Sequence, residues 1–303
     1  MIVARVPNLR LLIDFVSMDA RESPNAALGY LRNHEPCARA CDNRTMALRT
    51  ADRDFMASLA RGLSVILAFS AEGARMTAAQ LGVKTGLSRW AVRRCLLTLT
   101  RLRYVASEDG RSFFLLPGLL AIADAYASSS PLVLAAQPFL DRVSDAVGES
   151  CSLATPEGDD IVYVARSVGS RIISTRLNPG SRWPAYCTSS GLVFLANRPE
   201  RDLDAYAARV KLIPYTERTL SSRLRLREVL KTIRKDDYAV ADRTTRLPIR
   251  SITVPVRSAA GEVFAGIDVI VRAGRVSRQE MKSLYLPHLR AAARDIGALL
   301  TPS

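Results

Sequence analysis

Up to residue 53 the apolar positions follow no sustained period, and Pro7, Pro24, Gly29 and Pro36 interrupt the runs. A segment of this kind is expected to be a poorly ordered extension. Met46, close to the first regular stretch, is a candidate start of translation. From Phe55 order sets in. Phe55, Leu59, Leu63, Ile66, Leu67 and Phe69 recur mostly at i, i+4 and i+7, which predicts an amphipathic helix with Asp54 as its N-cap. Met76-Thr77-Ala78-Ala79-Gln80-Leu81 follows as a helix start: Thr77 and Gln80 have the spacing of a capping box, and Met76 and Leu81 sit at staple positions. That short helix is expected to end at Gly86, which tolerates a positive φ. Ser88 then caps a third helix, apolar through Val92, Cys95, Leu96, Leu99 and Leu102 and basic on its other face. Tyr104–Ala106 and Phe113–Leu115 flank Asp109-Gly110, a hairpin signal.

Helix, short helix, glycine turn, basic helix and hairpin in that order predict a winged helix-turn-helix over residues 54–116. An Ala/Leu-rich helix follows from Gly118 to Ala127, broken at Ser128-Ser129-Ser130-Pro131, and residues 117–134 are expected to act as a linker helix. Over residues 135–303 the pattern mixes periods. Helices are expected at Gln137–Val147, from Thr188 to Ala196, at Ser221–Arg234 and as one long element at Ser277–Leu300. Strands are expected at Ile161–Arg166, Arg171–Leu177, Tyr238–Asp242, Ser251–Val256 and Val263–Val271. Irregular alternation of this kind predicts an α+β domain with a mainly antiparallel sheet.

Charge sharpens the picture. The chain carries 43 Lys+Arg against 29 Asp+Glu, a net +14, which favours polyanionic partners through counterion release and leaves DNA, RNA and anionic lipid surfaces open. No apolar run reaches the roughly 18–20 residues of a membrane span, and Arg5, Arg10 and Asp14 break up the start of the chain, which lacks the apolar core of a secretory signal. Five scattered cysteines (Cys37, Cys41, Cys95, Cys151, Cys187) suit reduced thiols, and a cytoplasmic location is expected. His34, Cys37 and Cys41 lie close together, but no second ligand pair follows, so no metal site is expected; nor is a cofactor.

Residues 54–116 hold nine basic residues against four acids, a net +5. In helix-turn-helix modules the N-terminal part of the second motif helix meets base edges in the major groove. Here that stretch supplies Ser88, Arg89, Trp90, Arg93 and Arg94. Arginine can grip guanine O6 and N7 with two hydrogen bonds. Thr77, Lys84 and Thr85, near helix ends and in the turn, are placed for phosphates, and Arg111 at the wing tip for the minor groove or backbone.

These residues resemble the isocitrate-lyase-regulator (IclR) family of bacterial transcription factors. Phe55–Leu63 is similar to its opening helix, and Thr85-Gly86-Leu87-Ser88 with Arg93–Leu99 to its turn and recognition helix. Tyr163-Val164-Ala165-Arg166, the run from Gly180 to Gly191, and Arg250–Val256 resemble its effector domain. The likeness spans nearly everything after residue 53 and is closest to the branch controlling aromatic-acid catabolism through the β-ketoadipate pathway. It implies a GAF-like effector domain and assembly as homodimers or homotetramers on palindromic operators. It further implies control by a small organic acid, with RNA polymerase as a further partner. Carried over position by position, the ligand-lining sites fall on Ser189, Ser190, Ala241 or Asp242, Ser251, Asp268 and Ile270, with Arg176, Arg246 or Arg250 near enough to pair with a carboxylate. Two departures stand out. Arg243-Thr244-Thr245-Arg246-Leu247-Pro248 replaces an acidic pair, and Asp268 stands where the family tends to have Ser or Asn.

Other classes fare worse. The chain has no G-x-S-x-G, G-x-G-x-x-G, Walker-type or C-x-x-C signature and only two histidines, His34 and His288, so no enzyme is expected. RNA readers stack bases on exposed aromatics; aromatics make up 6% of this chain, and Trp90 alone lies on the basic helix. A DNA-binding regulator without small-molecule response remains the nearer alternative.

Overall fold

In a computed structural model of the protein, residues 54–69, 73–170 and 177–300 are described. The candidate start at Met46, the His34/Cys37/Cys41 group, Arg176 and most of the strand expected at Arg171–Leu177 lie outside them. The chain divides into two compact units, one ending at Leu119 and one beginning at Leu120.

The first unit holds helices α1 (Ala57–Leu67), α2 (Ala78–Thr85) and α3 (Arg89–Arg101), and strands β1 (Met76–Thr77), β2 (Val105–Ser107) and β3 (Ser112–Leu115). The strands form an antiparallel sheet ordered β1-β3-β2. The caps read from the sequence are present: Thr77 and Gln80 close a full capping box, Ser88 accepts from the Ala91 amide, and Gly86 takes φ 69°. Val65, Ala68, Met76, Leu81, Val92, Leu96, Leu99 and Val105 make the core. Two expectations for α1 fail. Its N-cap is Met56 and makes no side-chain cap bond, so Asp54 is too early to serve. The helix is also rotated from the expected face: Ser64 and Val65 are buried, whereas Leu59, Leu63 and Leu67 are 58%, 47% and 59% exposed.

The second unit opens with α4 (Leu120–Ser129) and α5 (Pro131–Val147). The chain break expected over Ser128–Pro131 shrinks to Ser130, whose hydroxyl caps α5 by accepting from the Val133 amide. Six strands follow: β4 (Ser150–Glu157), β5 (Asp160–Ser167), β6 (Arg182–Pro184), β7 (Ala239–Asp242), β8 (Ile249–Arg257) and β9 (Val263–Arg272). They form one antiparallel sheet ordered β6-β5-β4-β9-β8-β7. Helices α6 (Ser189–Ala196), α7 (Glu200–Arg209) and α8 (Arg223–Asp236) fall between β6 and β7. The long terminal helix expected is two, α9 (Arg278–Leu284) and α10 (Leu286–Leu299), joined at Tyr285.

Side chains alternate across a strand, and the sheet has a helical layer on each side. Leu153, Ile252, Val254, Val256, Ile267 and Val269 face α5, α9 and α10. Ile161, Tyr163, Ala239 and Ile270 face α6, α7 and α8. The α+β class expected from the sequence is the one observed. One apolar layer is interrupted. Where α6 begins, the sheet presents Ser152, Ser251, Thr253 and Asp268, all buried. A Cβ on Gly191 would lie 2.2 Å from the Ala185 carbonyl oxygen and 2.3 Å from its Cα. Only glycine lets the first turn of α6 press this closely on the preceding 3-10 turn, Ala185–Cys187.

Candidate functional sites: a basic helix face and a small cavity

On the first unit the basic residues of α3 share its solvent side. Arg89, Trp90, Arg93 and Arg94 are exposed, Trp90 to 68%, while Val92, Leu96 and Leu99 anchor the opposite side. The Arg94 guanidinium lies 4.7 Å from the centre of the Trp90 ring. That stacking narrows the rotamers open to the guanidinium and leaves its edge donors free to point outward.

The residues expected at phosphates divide. The Thr77 hydroxyl belongs to the capping box, Thr85 Oγ1 donates to the Leu81 carbonyl at 2.7 Å, and Lys84 Nζ donates to the Ala68 carbonyl at 3.3 Å. These three side chains hold the helices in place. Arg111 is exposed at the wing tip. The turn beneath it is built by Asp109, whose carboxylate accepts from the amides of Ser112 (2.7 Å) and Arg111 (2.8 Å) and from the hydroxyls of Ser112 and Ser107. Those bonds, the Ser112 amide first, hold the carboxyl well below the usual range. Arg75 braces the wing, paired with Glu108 at 2.9 Å and lying 4.5 Å over Phe114.

In the second unit a small cavity lies between the sheet and the turns around α6. Tyr163, Trp183, Cys187, Thr188, Thr244 and Ser251 are among its lining residues. Its volume is about 20 Å³, room for a single water-sized occupant. Three segments are stitched together around it. Thr244 Oγ1 donates to the Cys187 carbonyl (2.7 Å), Thr219 Oγ1 to the Thr244 carbonyl (2.7 Å) and Thr216 Oγ1 to the Arg243 carbonyl (2.6 Å). Tyr186 accepts from the Ile213 amide and donates to its carbonyl.

Behind Ser251 runs a chain of buried hydroxyls. Ser251 Oγ is 2.6 Å from Ser189 Oγ, Thr253 Oγ1 donates to Ser189 Oγ at 2.7 Å, and Ser190 Oγ is 3.2 Å from Thr253 Oγ1. Ser190 Oγ is in turn 3.1 Å from Asp268 Oδ2, to which the Tyr163 hydroxyl donates at 3.2 Å. Asp268 is fully buried. Desolvation raises its pKa to about 7 against the opposing pull of the Ser190 and Tyr163 hydrogen bonds and the Arg166 charge.

Of the residues expected in the pocket, Ala241 and Ser251 line the cavity, and Ser189, Ser190 and Asp268 stand directly behind it. Ile270 is packed in the core on the same side of the sheet. Asp242 and Arg250 are not pocket residues. They pair across β7 and β8 on the opposite face, 3.1 Å apart, because each is a strand neighbour of a pocket-facing residue. Asp242 there gathers Arg218, Arg243 and Arg278 as well. Arg246 is exposed, its guanidinium 6.0 Å from the Tyr215 ring centre. Tyr163, Trp183 and Thr244 are among the lining residues that the sequence reading did not single out; for Tyr163 the signal was its place on the same strand face as Ile161.

A winged helix-turn-helix with an exposed arginine face, carried on a chain whose second unit holds a cavity lined by apolar, aromatic and hydroxyl side chains, defines a DNA-binding regulator with a sensory domain. Residues 58–109 match the IclR helix-turn-helix domain and residues 124–298 the C-terminal domain of the bacterial transcriptional regulator IclR. The chain belongs to the IclR family of transcriptional regulators. It is 46% identical to the Pca regulon regulatory protein of Pseudomonas putida, over 82% of this chain and 85% of that one. A solved structure of a transcriptional regulator from Rhodococcus sp. RHA1 superposes with TM-score 0.71 at 39% identity, covering 81% of this chain and 98% of that chain. The PobR inducer-binding domain from Acinetobacter, a double mutant in complex with 3-hydroxybenzoic acid, superposes with TM-score 0.52 at 27% identity, over 55% and 97%. Among the described residues no single helix is long and apolar enough to cross a membrane.

Proposed function

We propose that this regulator reads a palindromic operator with α3 and that a small aromatic acid in the cavity of the second unit controls it. The observation that carries the DNA half is the row Arg89, Trp90, Arg93 and Arg94, exposed together on a helix whose other side is locked in a core. Arg93 and Arg94 read bases, each bidentate contact worth about 1–3 kcal/mol of discrimination. Arg111 grips the backbone from the wing.

A palindrome requires a two-fold pair of reading heads, and the exposed apolar faces supply the means of pairing. Met56, Leu59, Leu63 and Leu67 form one on α1, and Ile122 and Tyr126, four residues apart, another on α4. Contact with RNA polymerase and work in the cytoplasm complete the reading.

The acid half is supported by the complex of the PobR domain with 3-hydroxybenzoic acid and by the chemistry of the cavity. An aromatic floor of Tyr163 and Trp183 lies beside hydroxyls from Ser251, Thr244 and Thr188. A benzene ring needs more than 20 Å³, so entry parts the threonine stitches at Thr216, Thr219 and Thr244. The small volume also favours a second reading, a regulator that has lost its ligand.

Mobility shift on the DNA upstream of the protein's own gene, with 3-hydroxybenzoate and related acids added, tests both halves. Arg93→Ala with Arg94→Ala abolishes the shift while unfolding is unchanged; unaltered operator affinity at physiological salt overturns the assignment of α3. A shift that no aromatic acid alters favours the second reading.

A further inference from the structure

The corner of the second unit's sheet where β7 ends carries more positive charge than its acids neutralise. Asp242, buried at the last position of β7, is approached by four arginines. Arg218, from the segment between α7 and α8, pairs with its Oδ2, as does Arg250 on β8 at 3.1 Å. Arg278, the first residue of α9, stands 4.0 Å from the same oxygen, and Arg243, directly after β7, stands 3.5 Å from Oδ1. Four guanidiniums meet one carboxylate, an excess of three positive charges. Desolvation pushes that carboxyl up, but the Arg250 hydrogen bond and the charges of Arg250, Arg218 and Arg243 outweigh it and hold it below its ordinary value. The acids nearest in sequence bring no relief. Glu280 is spent on the cap of α9, and Glu217 makes no ion pair among the described residues.

The cluster is also short of hydrogen-bond acceptors. Among the described residues the guanidiniums of Arg243 and Arg278 donate no hydrogen bond. Arg250 Nε is buried without a partner, as is Asp242 Oδ1. Arg218, Arg243 and Arg278 are each about half exposed, so a ligand can reach them from solvent. The edge of a guanidinium presents paired N–H donors that match two oxygens of a carboxylate or phosphate.

The turns that supply Arg218 and Arg243 also stitch the surroundings of the cavity. Arg218 lies between Thr216 and Thr219, and Arg243 precedes Thr244. Thr216 holds the Arg243 carbonyl, Thr219 holds the Thr244 carbonyl, and Thr244 holds the carbonyl of Cys187, a lining residue.

We propose that Arg218, Arg243 and Arg278, gathered by Asp242, bind a small anion of two or more charges, and that the bound anion latches the turns around the cavity. An anion that bridges Arg218 and Arg243 ties together the turns that part when a benzene ring enters, so it opposes the aromatic acid. The anion site stands apart from the reading of the cavity as an acid-binding pocket; the latch rests on that reading. The ligand class is a phosphate or a polycarboxylate, which share the oxygen pairs that arginine grips.

The test has two arms on the full chain. In the first, inorganic phosphate and citrate are titrated separately by calorimetry, with ionic strength held constant by chloride. Saturable binding of at least one of them to the wild type is the expected result, and the probe preferred names the class. Its affinity falls by about tenfold or more in Arg278→Gln and in Arg218→Gln, each of which removes a charge-assisted donor. Arg201→Gln, which removes an exposed charge on α7, binds as the wild type does. No saturable binding to the wild type, or an equal loss in Arg201→Gln, overturns the proposal. In the second arm 3-hydroxybenzoate is titrated with and without the saturating anion. The anion weakens the acid about fivefold or more in the wild type and leaves its affinity for Arg218→Gln unchanged. An equal weakening in both proteins shows direct competition in the cavity and overturns the proposal, as does no weakening in the wild type. If 3-hydroxybenzoate fails to bind without the anion, the acid-binding reading fails, and the first arm still decides the anion site.

Discussion

Replacing Asp268 by Asn has a consequence for stability that needs no ligand at all. In the unfolded chain an aspartate titrates near 3.8, and in the folded protein burial raises this one to about 7. Between those values the folded state holds a proton that the unfolded state has released, so the wild type loses stability as pH rises. The full interval corresponds to about 4 kcal/mol. By pH 5 about 1.7 kcal/mol of it is already spent, and by pH 8.5 nearly all. Asn does not titrate. Relative to Asp268→Asn, the wild type therefore loses about 2.7 kcal/mol between pH 5 and pH 8.5, while the other groups, common to both proteins, cancel. For a unit of this size that is a relative shift in Tm of roughly 5–10 °C. Trp183 lies in the same unit as Asp268, and Trp90, the other tryptophan, lies in the first. Unfolding followed by fluorescence in a Trp90→Phe background thus reports the second unit. A constant stability difference between the two proteins across that pH range would show that Asp268 is ionised throughout, and would refute the reasoning.

Two further substitutions probe the scaffolds beneath the two sites. Leu96→Ala empties a fully buried position in the first unit's core and should destabilise it by about 2–5 kcal/mol, read from Trp90 fluorescence in a Trp183→Phe background; a cost below about 1 kcal/mol would mean that α3 is not anchored through Leu96. Gly191→Ala forces a methyl into backbone atoms 2.2 Å away. It should cost about 3 kcal/mol in the second unit and abolish the response to acid, whereas wild-type stability and response would show that α6 need not sit so close to the turn.

The winged helix was legible because its signals are local. A capping box, a second N-cap, a glycine with positive φ and an Asp-Gly turn each act over three or four residues, and each is present. The face of α1 was not legible in the same way. Its leucines and its Val65 both recur at helical spacing, and a single chain's pattern cannot say which face meets its own core when the other is also apolar. The cavity was half legible. Ser251 and Arg250 are consecutive on one strand, so alternation alone forbids both from facing the pocket; placing Asp242 and Arg250 there ignored the period. The hydroxyl chain was out of reach, because Ser189, Thr253 and Asp268 meet only through the register of β8 with β9 and the seating of α6.

The Lys84 contact with the first helix carries a further meaning. The 43 basic residues include only five lysines, and Lys84 is the single one between Asp54 and Leu116. Its ammonium donates to the Ala68 carbonyl, and the cations on α3 are guanidinium groups alone. Acetyl transfer to lysine, a common means of switching off a basic surface, has nothing to act on there. On the proposed reading of α3, the charge offered to DNA lies beyond the reach of lysine acetylation.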